Sequence, residues 1–241
     1  MAIGAVIMGF SKTSVGGLGS VTVAIFALTM PTRESTAAVL LLAIVGDVVA
    51  VATIGRHASR PLLLRLIPGV IPGLILGSLF LAWVDDVTLQ RVIGGVLAVS
   101  LLIQLWSRRK PAEPSDPDAQ HPAQHWVAAG SSGLAAGFTT MTANAGGPVM
   151  ALYLLAARVD KHRFIGTNAW FFAVVNLIKV PFSASVGLFP WHTLLLVATL
   201  APVVLVGTWF GRRFAHRISQ AAFERITLIT SLFAATFLLL R

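Results

Sequence analysis

Cysteine is absent from the chain, which excludes disulfides, thiol nucleophiles and Cys-based metal sites. Charge is scarce: 11% of residues are Asp, Glu, Lys or Arg, against roughly 25% in an ordinary soluble domain. Acidic residues are scarcer still, 9 against 18 basic ones. No pair of carboxylates stands out, nor any nucleophile with a base and an orienting group, so no enzyme and no cofactor are expected. His121 and His125 have ligand-like spacing, but they sit in a hydrophilic stretch with no other ligands, so no metal site is expected. "SKTS" at 11–14 resembles the end of a phosphate-binding loop, yet Val6 and Ser11 stand where that loop needs glycines. The N-terminal run "MAIGAVIMGF" has no basic region, so a cleaved signal peptide is not expected.

What is abundant is apolar sequence. Hydrophobic residues make up 56% of 241, and the mean hydropathy is +0.83. They come in long blocks, near 2–29, 35–55, 62–83, 88–106, 126–157, 163–188, 191–210 and 220–240. That pattern predicts an all-α, polytopic membrane protein. The formal charge of +9 would suggest nucleic acid in a soluble protein. Here the basic residues cluster at block ends, as topology signals do, and no nucleic-acid partner is expected.

A polar, Pro-rich linker, "SRRKPAEPSDPDAQHPAQH", separates four blocks from four. Residues 1–107 form the first repeat, 108–125 a cytoplasmic linker and 126–241 the second repeat, together one transmembrane domain. Gly9-Phe10 aligns with Gly137-Phe138 at an offset of 128, and Pro72 and Gly77 align with Pro202 and Gly207 at 130. Two diverged copies of one unit follow, as in many secondary transporters. Eight full crossings would put the basic connections of the two halves on opposite sides, against the positive-inside rule. The conflict disappears if block five, and by symmetry block one, enters the membrane and returns to the same side. The expectation is therefore two inverted repeats, each a re-entrant helical hairpin (or broken helix) plus three transmembrane helices. Both termini lie outside. The basic residues lie inside, apart from Arg33, Arg91 and Arg241 outside and Lys12 and Lys179 within the membrane. Each hairpin arm of ~12 residues climbs ~18 Å, half-way through a ~30 Å core. The turns are placed at 11–16 and 139–145.

Those turns fall in two matching polar stretches, "GFSKTSVGGLG" and "GFTTMTANAGG". Hydroxyls and amides there can satisfy non-helical backbone at membrane depth. The glycines after each tip begin the second arms, whose free N–H groups and positive dipole ends suit an anion. The competing reading is that glycine only lets helices approach closely. Lys12 at the bilayer centre costs on the order of 2.5 kcal/mol, so it faces a cavity or partner unless it snorkels. Asp47, the only acidic residue deep in an apolar block, either carries a proton during transport or pairs with Lys12. Lys179 either serves the site or snorkels to the outer surface. Asn168 and Asn176 share a helical face and either line the cavity or bond across helices. The expected substrate-binding set is Lys12, Thr13, Ser14, Gly16, Gly17, Thr140, Thr142, Asn144, Gly146, Gly147, Asn168 and Asn176, with Asp47 the proton-coupling candidate.

"GFSKTSVGGLG" with "MPTRESTAAVLL", and "GFTTMTANAGGPVMALYLLA" with "FIGTNAWFFAVVNLIKVPF", are similar to segments of the sulfite exporter TauE/SafE family of membrane permeases. The resemblance covers nearly the whole chain. It implies export of a small anion, often sulfur-containing (sulfite or an organosulfonate), across the cytoplasmic membrane, coupled to an ion gradient. Many members carry a run of glycines in the second repeat, where this chain has Asn144-Ala145-Gly146-Gly147-Pro148. The expected partners are a small anionic substrate and the lipid bilayer, with homo-oligomer formation open. A passive anion channel, an uptake permease for a different small solute and a membrane scaffold without transport are the competing functions.

Overall fold

A computed structural model describes residues 1–14, 19–89, 126–157, 159 and 161–214, with isolated positions 91, 92, 95, 98, 99 and 102. Blocks four and eight and the linker 108–125 fall largely or wholly outside the described residues. Eight α-helices are described: α1 (Ala2–Thr13), α2 (Gly19–Thr29), α3 (Thr32–Ile54), α4 (Arg60–Trp83), α5 (Trp126–Ala143), α6 (Gly147–Ala156), α7 (Lys161–Ser185) and α8 (Trp191–Phe214). A 3-10 turn, Gly55–His57, links α3 to α4. No strand occurs among the described residues.

Four helices are long and apolar enough to cross a membrane, spanning Thr32–His57, Arg60–Trp83, Arg163–Ser185 and Trp191–Arg213. A 24-residue helix such as α4 rises ~36 Å, enough for a ~30 Å core with some tilt. The outer faces of these helices are apolar: Leu64, Ile71, Ile75 and Leu79 on α4 and Leu195, Leu205 and Trp209 on α8 are exposed. Trp83, Trp126 and Trp191 stand exposed at helix ends, where an interfacial aromatic belt would sit.

Blocks one and five are each broken, and in each the chain folds back on itself. Thr22 Oγ1 of α2 donates to the Gly4 carbonyl at 3.0 Å, and a Cβ on Gly19 would sit 3.7 Å from Ser11 Oγ. In block five a Cβ on Gly146 would meet Thr140 at 2.9 Å and the Ala136 carbonyl at 3.2 Å. The first arms end inside the expected turns, at Thr13 and Ala143. Helix α5 stays helical over the first part of the expected turn, as far as Ala143. The hydroxyls of Thr139 and Thr142 donate to the carbonyls of Ala135 and Phe138, one turn back. Ser11 and Ser14 do the same to Met8 and Phe10. Ser and Thr that bond back to their own helix leave it intact. The second turn falls at Asn144, inside the expected 139–145, and its φ of 48° is the left-handed conformation that Asn tolerates better than most residues.

Two helix pairs are seamed by glycine. Gly69 and Gly73 of α4 lie against Gly130, Leu134 and Gly137 of α5, so closely that a Cβ on Gly69 would be 2.0 Å from the Gly130 oxygen. Gly9 of α1 and Gly207 of α8 make the matching contact, with Cβ atoms 2.0 Å from Val204 O and 2.3 Å from Val6 O. Small residues let backbones approach where lipid offers no hydrophobic drive for association. Thus the first arm of each broken block packs on a long helix of the other half. Helix α3 lies centrally, packed against α1, α2, α7 and α8. Trp170 of α7 donates to the Gly55 carbonyl at 3.1 Å, and Ser59 N–H donates to Thr167 Oγ1 at 2.8 Å.

Candidate functional site

The ends of α1 and α5, the starts of α2 and α6, and the middles of α3 and α7 converge on a cavity of about 60 Å3. Its polar lining includes Ser11, Lys12, Asp47, Thr140, Asn144, Asn168 and Asn176, and Met8, Val39, Ala43 and Phe172 form much of its apolar wall. Both second arms begin there, with Gly19 and Gly147 at the surface. Apart from Pro148, which has no N–H, their first-turn N–H groups lack helical partners by construction, so the cavity receives two positive dipole ends.

Lys12 turns inward rather than snorkelling. Its Nζ lies 2.7 Å from Asp47 Oδ1 and 4.8 Å from the Phe172 ring centroid, a cation–π contact. The lysine stem crosses α3 over Gly46, where a Cβ would sit 2.9 Å from Lys12 Cγ. The other carboxylate oxygen, Asp47 Oδ2, accepts from Asn176 Nδ2 at 2.7 Å. Asp47 and Asn176 are both buried, and they stand 129 residues apart. That hydrogen bond ties α3 to α7 across the chain.

Lys179 does not reach a surface: it is 1% exposed. Its ammonium donates to the Thr140 carbonyl at 2.5 Å and to Asn144 Oδ1, with Thr140 Oγ1 at 3.5 Å. It therefore caps the C-terminal end of α5, where a cation suits the helix dipole. Asn144 Nδ2 in turn donates to the Thr36 carbonyl at 3.0 Å, tying the second tip to α3.

Of the expected site residues, Lys12, Asp47, Thr140, Asn144, Gly147, Asn168 and Asn176 are brought together at the cavity. Thr13, Ser14, Thr142 and Gly146 lie behind its wall. The Thr13 hydroxyl donates to Thr208 O at 2.8 Å, those of Ser14 and Thr142 to their own helices, and Gly146 abuts Thr140 and Phe172. Gly16 and Gly17 lie outside the described residues. Lys179 is absent from the expected set, although it follows Asn176 by three positions on the same helical face. Among the described residues no group of His, Asp or Glu could hold a metal ion.

The model of the sulfite exporter TauE/SafE family matches residues 1–238. The chain belongs to the TauE/SafE family. TauE/SafE proteins are membrane transporters rather than enzymes, which accords with the four apolar spans. Among curated proteins and among solved structures, none matches the chain.

Proposed function

We propose that the protein is a permease that exports a small sulfur-containing anion, sulfite or an organosulfonate, across the cytoplasmic membrane by alternating access. One observation carries the reading: both broken-helix tips and the Lys12–Asp47–Asn176 chain meet at one small cavity. Lys12 and the N–H groups at the starts of α2 and α6 hold the anion's charge. Thr140, Asn144, Asn168 and Asn176 bind its oxygens. The Asp47 carboxylate competes with the anion for Lys12, so protonating Asp47 and loading the anion are linked, and Asp47 couples transport to the proton gradient.

The two halves form inverted repeats of a re-entrant hairpin and three spans, with both termini outside and the linker 108–125 cytoplasmic. The exchange of arms between halves and the Asp47–Asn176 contact between α3 and α7 support this arrangement.

Counterflow of labelled sulfite and small sulfonates in proteoliposomes tests the transport. Lys12→Ala is expected to abolish it, and unchanged flux in that variant sinks the role given to Lys12. Flux through the unaltered protein that ignores a proton gradient favours a passive channel. For topology, single cysteines introduced at 115 and 160 should label from the same face. Labelling from opposite faces refutes the hairpin in block five.

A further inference from the structure

Lys12 has two holds on the cavity, and only one of them titrates. Its Nζ lies 2.7 Å from Asp47 Oδ1 and 4.8 Å from the centroid of the Phe172 ring. The coupling step proposed above protonates Asp47, which removes the charged partner and leaves the ring. A lysine in an apolar span that loses its counter-ion has a stem long enough to snorkel toward the headgroups. The π face of a phenylalanine holds a desolvated cation whatever the pH.

The ring itself is held in place. Asn168, Phe172 and Asn176 recur every four residues of α7 and all line the cavity, so the ring stands between the two amides on one helical face. Phe171 meets it edge-on, with centroids 5.2 Å apart. A Cβ on Gly146, at the second tip, would lie 3.5 Å from the same ring. The ring therefore rests against the second tip and carries the lysine of the first. The lysine stem is confined as well, since a Cβ on Gly46 would sit 2.9 Å from Lys12 Cγ and 3.3 Å from its Cβ.

We propose that Phe172 is the positioning residue that keeps the Lys12 ammonium in the cavity while Asp47 is protonated, so that the anion finds its cation after the ion pair is lost. This rests on the transport reading above and adds to it a residue with no polar atom. Lys12 from α1 and Lys179 from α7 are the charged groups that act on Asp47. Protonating the carboxyl therefore frees Lys12 without another carboxylate to take it up. The ring is the partner that remains.

The test uses the full chain, in detergent and in proteoliposomes. Asp47→Asn stands in for the protonated carboxyl at every pH, and it lets Lys12 be removed without stranding a carboxylate. In that background the melting temperatures of Lys12→Met, Phe172→Met and the two together close a cycle. Methionine fills most of the ring's space without a π face. Phe172→Met should lower Tm by about 2–6 °C more when Lys12 is present than when it is replaced. Equal losses mean that the ring only packs, and they overturn the proposal. Counterflow of labelled sulfite then reads the use of the contact. Asp47→Asn alone should keep exchange, and adding Phe172→Met should lower it by about tenfold or more. Adding Phe172→Tyr instead keeps the ring and should leave exchange within about threefold of Asp47→Asn. An Asp47→Asn protein that exchanges nothing, or one indifferent to Phe172→Met, overturns the proposal. Should the doubly substituted protein not fold, the single variants with Asp47 intact decide: equal exchange by Phe172→Met and Phe172→Tyr overturns it. Failure of the unaltered protein to exchange the anion overturns the transport reading instead. The melting cycle needs no transport, so the two failures stay apart.

Discussion

Replacing Gly69 by alanine is expected to force α4 and α5 apart, whereas the same change at Gly130, across the same seam, is expected to be harmless. A methyl on Gly69 would lie 2.0 Å from the Gly130 carbonyl oxygen and 2.9 Å from the Leu134 nitrogen. Both are backbone atoms, which no rotamer change can move aside. Reaching even 3.0 Å from a starting contact of 2.0 Å requires the helices to separate there by about 1 Å. A Cβ on Gly130 points elsewhere and meets nothing within 4 Å. Overpacking of this kind costs about 1–3 kcal/mol, while alanine returns about 1 kcal/mol of helix propensity at either position. The net expectation is a loss of ~1 kcal/mol for G69A and a gain of up to ~1 kcal/mol for G130A. At roughly 2–4 °C per kcal/mol for a chain of this length, the two variants should differ in Tm by about 4–8 °C. The six tryptophans supply the signal for thermal unfolding in detergent. Because α5 ends at the cavity wall, anion exchange should also fall in G69A and not in G130A. Equal melting temperatures for the two variants would refute the glycine seam as the determinant of this packing.

Removing Lys12 strands a buried carboxylate, so Lys12→Gln should destabilise by about 3–5 kcal/mol. Adding Asp47→Asn should recover part of the loss, and a Tm cycle in which the two changes simply add would exclude the ion pair. At the second tip, Asn144→Gly preserves the left-handed backbone that Asn144→Ala strains. Both lose the bonds to Lys179 and Thr36, so the glycine variant should be the more stable by about 1–3 kcal/mol in denaturant titrations; an equally stable alanine variant would contradict the φ of 48°. The His192 Nε2–Glu34 Oε2 contact of 2.7 Å joins the starts of α8 and α3 with the His192 side chain largely exposed. His192→Ala should therefore change stability by less than about 1 kcal/mol, and a larger shift in Tm would show that this contact carries more than a surface pair.

What could be read in advance, and what could not, divides along a physical line. Apolar blocks and buried charges are one-dimensional signals, because transfer into lipid penalises each polar residue wherever it folds. The four long spans, the two broken blocks and the inward-facing Lys12 were legible on that basis. The glycines were not separable, because two opposite uses leave the same letter. Gly9, Gly137 and Gly207 serve close approach, with Cβ positions 2.0–2.4 Å from a facing carbonyl. Gly147 has open space at the cavity, and a Cβ on Gly19 would make only an ordinary 3.7 Å contact. Only the facing helix distinguishes them, and contacts between α1 and α8 lie some 200 residues apart in sequence. Hydroxyls mislead for a related reason. Thr142 and Ser14 look like ligands in an apolar stretch, but each hydroxyl donates its hydrogen bond to a carbonyl one turn back. Lys179 is the instructive case. Position alone favours its reaching the outer surface, and it is the capping of α5, a helix from another part of the chain, that holds it inside. A lysine retained in the interior by uncharged oxygens, beside a cavity whose other charges already pair, is a three-dimensional statement about charge balance.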